Sequence, residues 1–168
     1  MDSGLLLARL VLGVLMAAHG TQKLLGWFGG YGIAGTAGFF EALGFRPGRL
    51  FATTAAVTEI ASGLLLALGL FGPVAGALIV SVMIVAAISV HWPHGVFAST
   101  NGIEVPLLYG VGAAALTLTG PGVYSLDALL GLSTLWTPEL TWAALAAGVI
   151  GGVANLAIRR PAQVTASA

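Results

Sequence analysis

Eight ionisable side chains stand within or beside apolar stretches of this sequence, and they are the residues that could do chemistry. They are Arg9, His19, Lys23, Glu59, His91, His94, Glu104 and Asp127. A charged group is costly to bury in hydrocarbon, so such residues usually face the interior of a helix bundle and pair with one another. Lysine and histidine donate hydrogen bonds and protons, and a carboxylate accepts them. The set is typical of a site that binds a polar head group or relays protons.

Helical spacing groups three of these residues. His19 and Lys23 lie one turn apart on the same face of a first helix. Glu59 lies at the centre of a small-residue face of a second helix, about 13 Å from the end that both helices share. We predict that Lys23, His19 and Glu59 form a buried network lined by Gly20 and Gly63.

Three further residues fall at the same end of the next two apolar stretches. His91 and His94 end one stretch and Glu104 begins the following one, so we expect them to lie in the same half of the bilayer as the network. Simpler roles stay open. Lys23 can reach the interface, Glu104 can cap a helix, and both His91 and His94 can be loop residues.

Arg9 lies near the opposite end of the first helix, on the side where Asp127 falls, and we predict an ion pair between the two. The residues predicted to be catalytic are Lys23, Glu59, His19 and His91. Those predicted to bind substrate are Glu104, Arg9 and Asp127.

Few other chemistries fit these residues. The spacing His91-x-x-His94, without a nearby acidic pair, is weak as a zinc pattern, and we predict no metal site. His19 and His91 could ligate haem from facing helices, but the spacing does not require it. The sequence has no Cys, which excludes disulfides and Cys-ligated clusters. The cofactor is left open, with quinone favoured over haem.

The composition shows that transmembrane helices must position these residues. Hydrophobic residues make up 58% of the 168 and charged residues 7%, whereas a soluble domain carries about 25% charged residues. The 25 glycines favour close packing of helices in lipid. Six basic residues balance six acidic ones, so no basic surface is available for nucleic acid.

Five apolar stretches are long enough, or nearly so, to cross a bilayer. They are 5–25, 50–70, 73–90, 103–119 and 140–158. We predict an all-α integral membrane protein, with a four-helix transmembrane bundle and a fifth, C-terminal transmembrane helix. The core is 1–131, with an interfacial segment 28–48 that contains a short helix; the additional helix is 132–160 and a polar tail is 161–168.

The basic residues of the first loop and of the C-terminal end fall on one side of a five-span topology. By the positive-inside bias, this side is cytoplasmic and the N-terminus is external. The opening Met-Asp-Ser-Gly lacks a basic stretch, so we expect no cleaved signal peptide. The predicted location is the inner (plasma) membrane, in multi-pass form.

Several segments share an order and spacing with one protein family. They are Arg9-Leu10-Val11-Leu12-Gly13, His19 to Gly26, Thr36 to Gly44, Glu59 with Gly63-Leu64-Leu65-Leu66, His91 with Gly95-Val96-Phe97, Gly102-Ile103-Glu104, and Gly120-Pro121-Gly122 with Ser125-Leu126-Asp127. Over residues 5–131 the sequence resembles the DoxX family of small bacterial membrane proteins.

The resemblance implies a four-helix membrane core linked to redox biology. Members of the family are described as subunits of quinol oxidase or thiosulfate–quinone oxidoreductase systems. The motif residues that carry over to this chain are Arg9, His19, Lys23, Glu59, His91, Glu104 and Asp127.

The leading functional hypothesis is a membrane subunit of an oxidoreductase system, whose buried pocket binds a quinone or relays protons. The chain has no evident electron carrier, so this role requires a protein partner or a bound cofactor. One alternative is a small-molecule-binding, lipid-binding or transport protein. Another is a non-catalytic scaffold, in which Gly72-x-x-x-Gly76 and Gly148-x-x-x-Gly152 pack against other subunits.

Overall fold

The computed structural model describes residues 2–160, and this part of the chain is helical with no strand. The helices are α1 (Asp2–Leu25), α2 (Gly32–Ala42), α3 (Gly48–Leu68), α4 (Gly72–Ala86), α5 (Glu104–Thr119), α6 (Leu126–Leu129) and α7 (Pro138–Ala157). All five predicted apolar stretches are therefore helices, and the predicted all-α membrane fold is confirmed. The predicted tail 161–168 lies outside the described residues.

Four helices of the described chain are long and apolar enough to cross a membrane. They are α1, α3, α7, and α4 together with its extension to His94. The fifth long helix, α5, has 16 residues and spans about 24 Å, somewhat less than the ~30 Å of hydrocarbon. The loop before α5 contacts the end of α4 at His91, and the loop after it contacts α1 at Arg9. This helix therefore runs between the same two ends of the bundle as its neighbours.

Hydrogen bonds tie the C-terminal end of α7 to the loop between α2 and α3. The Arg159 side chain donates from Nε to the carbonyl of Leu43 (2.5 Å), and the Arg160 N–H donates to the carbonyl of Gly44 (2.8 Å). The basic residues of the first loop and of the C-terminus thus lie together, as the charge pattern predicted. We call this the basic end; it contains Arg46, Arg49, Arg159 and Arg160.

Two glycines bring α1 and α3 into backbone contact. A Cβ at Gly13 would lie 2.5 Å from the carbonyl oxygen of Gly63, and a Cβ at Gly63 would lie 2.6 Å from the amide nitrogen of Ala17. About two turns further along α1, Gly20 packs in the same way against Ala56 of α3. The prediction that Gly20 and Gly63 line the polar network is wrong, because the backbone of the facing helix fills the space beside them.

The other glycine motifs are also used inside the chain. Gly148 and Gly152 of α7 pack on the backbone of α4, where a Cβ at Gly152 would lie 2.9 Å from the carbonyl oxygen of Ser81. Gly76 of α4 packs against Thr117 of α5. These glycines join helices of one subunit, so they are not free to pack on other subunits as the scaffold hypothesis supposed.

The turn that continues α4 beyond Ala86 differs from the uniform helix that hydropathy indicated. Residues Ala87–His91 form a π-helical turn, and the Ser89 hydroxyl donates to the carbonyl of Val85 (2.5 Å). A π-turn has hydrogen bonds between residues five apart, one more than in an α-helix, and it frequently occurs at functional sites. It re-aims the side chains at the basic end of α4, among them that of His91.

Candidate functional site

Lys23 and Glu59 form an ion pair inside the bundle. Lys23 Nζ donates to both carboxylate oxygens of Glu59, at 2.8 Å to Oε1 and 2.6 Å to Oε2. The Glu59 side chain is 3% exposed, whereas that of Lys23 is 30% exposed. The predicted pairing of these two residues is confirmed.

The direction of helical side chains explains why Lys23 and Glu59 meet although Lys23 lies nearer the helix end. A side chain on a helix leans towards the N-terminus of that helix. Helix α1 starts at the end away from the basic residues, so the Lys23 side chain leans away from the basic end, towards the middle of the bundle. Helix α3 starts at the basic end, so the Glu59 side chain leans towards the basic end and meets that of Lys23.

The ion pair opens onto a cavity of about 370 Å³, which we call the Glu59 cavity. Four phenylalanines from α2, from the following turn and from the start of α3 contribute to its wall: Phe39, Phe40, Phe45 and Phe51. Aliphatic residues of α4 supply further apolar surface. Its polar lining residues are Lys23, Glu59, Thr54, Thr58, Ser81, Ser89, His91 and Asn155. An apolar cavity with a few polar groups is typical of a small-molecule site.

His91 lines the Glu59 cavity from the π-turn of α4. Its Nδ1 lies 2.7 Å from the carbonyl oxygen of Asn101. A carbonyl only accepts hydrogen bonds, so Nδ1 carries a proton and Nε2 is the nitrogen left for other partners. His91 is thus placed beside the ion pair's cavity with one ring nitrogen committed to the loop.

His19 has other partners than the predicted network. Its Nδ1 lies 3.2 Å from Oε1 of Gln22, and its ring packs edge-on against Tyr109 of α5 at 5.6 Å between centroids. Within residues 2–160 it makes no hydrogen bond to Glu59. A separation of four residues rotates the side chain by about 40° around the helix. With that rotation between them, His19 faces Tyr109 of α5 and Lys23 faces Glu59. The hydrogen-bonded part of the predicted network is therefore the Lys23–Glu59 pair.

Glu104 and His94 hold the loop between α4 and α5. Glu104 accepts a hydrogen bond from the N–H of Ala98 at 2.7 Å, and His94 Nδ1 lies 2.9 Å from the carbonyl of Val90. Neither lines the Glu59 cavity. His94 is the loop residue that the sequence left open, whereas Glu104 bonds a loop amide and does not cap α5.

Arg9 is buried near the opposite end of α1, where it fastens the loop that follows α5. Its guanidinium donates to the carbonyl oxygens of Pro121 and Tyr124. No ion pair joins it to Asp127 within 4.0 Å in the described part of the chain. The predicted Arg9–Asp127 pair is therefore wrong, since backbone carbonyls take the place of the carboxylate.

Asp127 is fully buried and accepts hydrogen bonds at the start of α4. Its carboxylate receives the N–H of Phe71 at 3.0 Å and that of Gly72 at 3.2 Å, and it also receives the indole N–H of Trp136 at 3.0 Å. An anion at a helix N-terminus is stabilised by the unpaired amides and by the helix dipole. Asp127 thus joins α4 to the segment before α7.

Exchanging the charges of Arg9 and Asp127 tests this assignment. The double variant R9D/D127R should unfold at least as easily as the less stable single variant, since neither new side chain finds its partners. Thermal unfolding of the three variants in detergent checks this. Recovery of stability in the double variant would contradict this assignment and indicate a direct ion pair between the two positions.

No three His, Asp or Glu side chains in residues 2–160 come together in a group that could hold a metal ion. His19 and His91, the haem candidates, have separate partners on α1, α5 and the loop 92–103.

Sequence reasoning did not single out Asn155 of α7, which lines the Glu59 cavity. The available signal was that Asn155 is the one amide side chain within an otherwise apolar fifth stretch. The aromatic wall was also not assigned residue by residue, because it comes from a turn and two helices that pack only in three dimensions.

The fold and the buried ion pair define a multi-pass, all-helical membrane protein in contact with the lipid bilayer. The DoxX family model matches residues 4–92, just over half of the sequence, and the chain belongs to the DoxX family. No curated protein and no solved structure matches the chain. The matched residues comprise α1 to α4 and end at Trp92, so the resemblance over 95–131 and the boundary at 131 stay predictions.

Proposed function

We propose that this protein is a quinone-binding membrane subunit of an oxidoreductase system in the plasma membrane. One observation carries the proposal: a buried Lys–Glu ion pair opens onto an apolar, aromatic-walled cavity. Membership of the DoxX family supports the redox context.

The groups around the Glu59 cavity match the needs of a quinone. A quinone head group is planar and apolar on its faces, and its two carbonyl oxygens accept hydrogen bonds. An ammonium group has three hydrogens, and Glu59 engages Lys23 through two contacts, so one hydrogen is available to a ligand. The phenylalanine wall suits the ring faces and the tail.

Reduction of the bound quinone to a quinol takes two electrons and two protons. The electrons come from a redox centre on a protein partner, since this chain has no cysteine and no nucleotide-binding motif. Lys23 gives a proton to one carbonyl oxygen and is reprotonated from its exposed side. His91 in its doubly protonated form gives the second proton, from Nε2 to the other oxygen, while its Nδ1–H stays bonded to the carbonyl of Asn101. Glu59 keeps the ammonium in place and balances its charge.

Titration calorimetry of the purified protein with decylubiquinone tests the proposal. The parent should show saturable binding at one site, and Glu59→Gln should weaken it about 10-fold or more, because a charge-assisted contact is lost with the orientation of Lys23. Glu139→Gln, an exposed carboxylate at the other end of the bundle, is the matched control and should bind like the parent. Absence of saturable binding, or equal binding by Glu59→Gln, would overturn the proposal.

A further inference from the structure

Asn155 is a polar side chain of α7 whose hydrogen-bonding capacity is only partly used. It is half-buried, and its Nδ2 donates to the carbonyl of Gly151 in the preceding turn at 2.9 Å. A carboxamide has two N–H donors and one carbonyl acceptor. Its second N–H and its Oδ1 have no protein partner among residues 2–160. These unpaired groups are available to a ligand in the cavity that Asn155 lines, and a ligand that pairs with them gains affinity.

The packing of α7 on α4 directs Asn155 into the Glu59 cavity. Gly148, Gly152 and Asn155 recur at i, i+4 and i+7, so they form one stripe along the helix. The two glycines press this stripe against the backbone of α4 near Ala77 and Ser81. Asn155 follows one turn later towards the basic end, where it lines the Glu59 cavity together with residues of α4.

Helix α7 lies outside the residues that match the family, which end at Trp92. The Lys–Glu pair, the phenylalanines and His91 all lie within the matched residues. Asn155 is thus a polar contribution that a helix beyond the matched segment makes to the same cavity.

We propose that Asn155 is a ligand-binding residue that contacts the head group in both redox states. Its free N–H donates to a carbonyl oxygen of the quinone, and its Oδ1 accepts from a hydroxyl of the quinol. This inference rests on the proposed function and identifies the ligand as one bearing paired carbonyl or hydroxyl oxygens.

Binding of decylubiquinone and of decylubiquinol to Asn155→Ala and Asn155→Leu tests the assignment. Each variant should bind both compounds about 5- to 10-fold more weakly than the parent, which is the effect of one lost hydrogen bond. Val153→Ala, on the lipid-facing side of the same helix, is the control and should bind both like the parent. Asn155→Ala leaves room in the cavity and decides the matter if the bulkier leucine prevents folding.

The outcomes separate this inference from the proposed function. A parent protein that binds neither compound overturns both. Parent-like binding by Asn155→Ala, together with weakened binding by Glu59→Gln, overturns the role of Asn155 alone. Weakened binding of both compounds, with the melting temperature of the parent retained, supports it.

Discussion

Replacing Lys23 with methionine should destabilise the protein by about 3–5 kcal/mol, because the Glu59 carboxylate is left buried without a partner. Glu59 is 3% exposed, and Lys23 is the one side chain among residues 2–160 that hydrogen-bonds its carboxylate. Methionine keeps most of the length and packing of the lysine stem, so the loss reports on the charge. Equilibrium unfolding in mixed micelles measures the change.

Two companion variants distinguish the ion pair from general damage. Glu59→Gln should cost less than Lys23→Met, since the Lys23 side chain is 30% exposed and its ammonium can turn towards the interface. The double variant K23M/E59Q should recover most of the stability that Lys23→Met loses, while quinone binding stays weak. Equal losses in both single variants and no recovery in the double variant would contradict a stabilising pair.

Replacing Gly13 with alanine should have an effect of comparable size for a steric reason. The new Cβ would lie 2.5 Å from the carbonyl oxygen of Gly63 and 2.6 Å from the amide nitrogen of Ala67. Both are backbone atoms, which cannot rotate away, so α1 and α3 must separate. We expect a loss of about 3 kcal/mol, at the upper end of what overpacking costs.

Gly4→Ala is the matched control for this prediction. Gly4 lies on the same helix, and no atom stands within 4 Å of the position of its Cβ. Its replacement should leave the melting temperature unchanged or slightly raised, since alanine favours helix. Separation of α1 and α3 should also draw Lys23 away from Glu59, so Gly13→Ala should bind decylubiquinone weakly. A melting temperature equal to that of Gly4→Ala would show that the two helices do not cross at Gly13.

The Lys23–Glu59 pair could be predicted from the sequence because few charges are available within apolar spans. A carboxylate buried deep in the bilayer needs a cationic partner. Helical spacing and depth together leave Lys23 and His19 as the candidate partners of Glu59. Spacing alone could not decide between them. The neighbour that each side chain faces depends on how α5 and α3 pack around α1: His19 faces Tyr109, and Lys23 faces Glu59.

The Arg9–Asp127 prediction failed because loop backbones compete with side chains for buried charges. Arg9 reaches the carbonyls of Pro121 and Tyr124, and Asp127 takes the first amides of α4. Every residue carries these backbone groups, so the sequence does not mark which of them a loop will present. The π-turn at Ala87–His91 could not be predicted from hydropathy either. It changes the backbone hydrogen-bond spacing by one residue and leaves the apolar character of the stretch unchanged.

The central claim is that a quinone head group sits between the Lys23–Glu59 pair and the phenylalanine wall. Photolabelling with an azidoquinone, followed by mass spectrometry of the peptides, tests it most directly. Label should concentrate in residues 39–59 and 78–91, excess decylubiquinone should displace it, and Glu59→Gln should reduce it. Label spread over the lipid-facing surfaces of all helices, unaffected by decylubiquinone or by Glu59→Gln, would contradict the account.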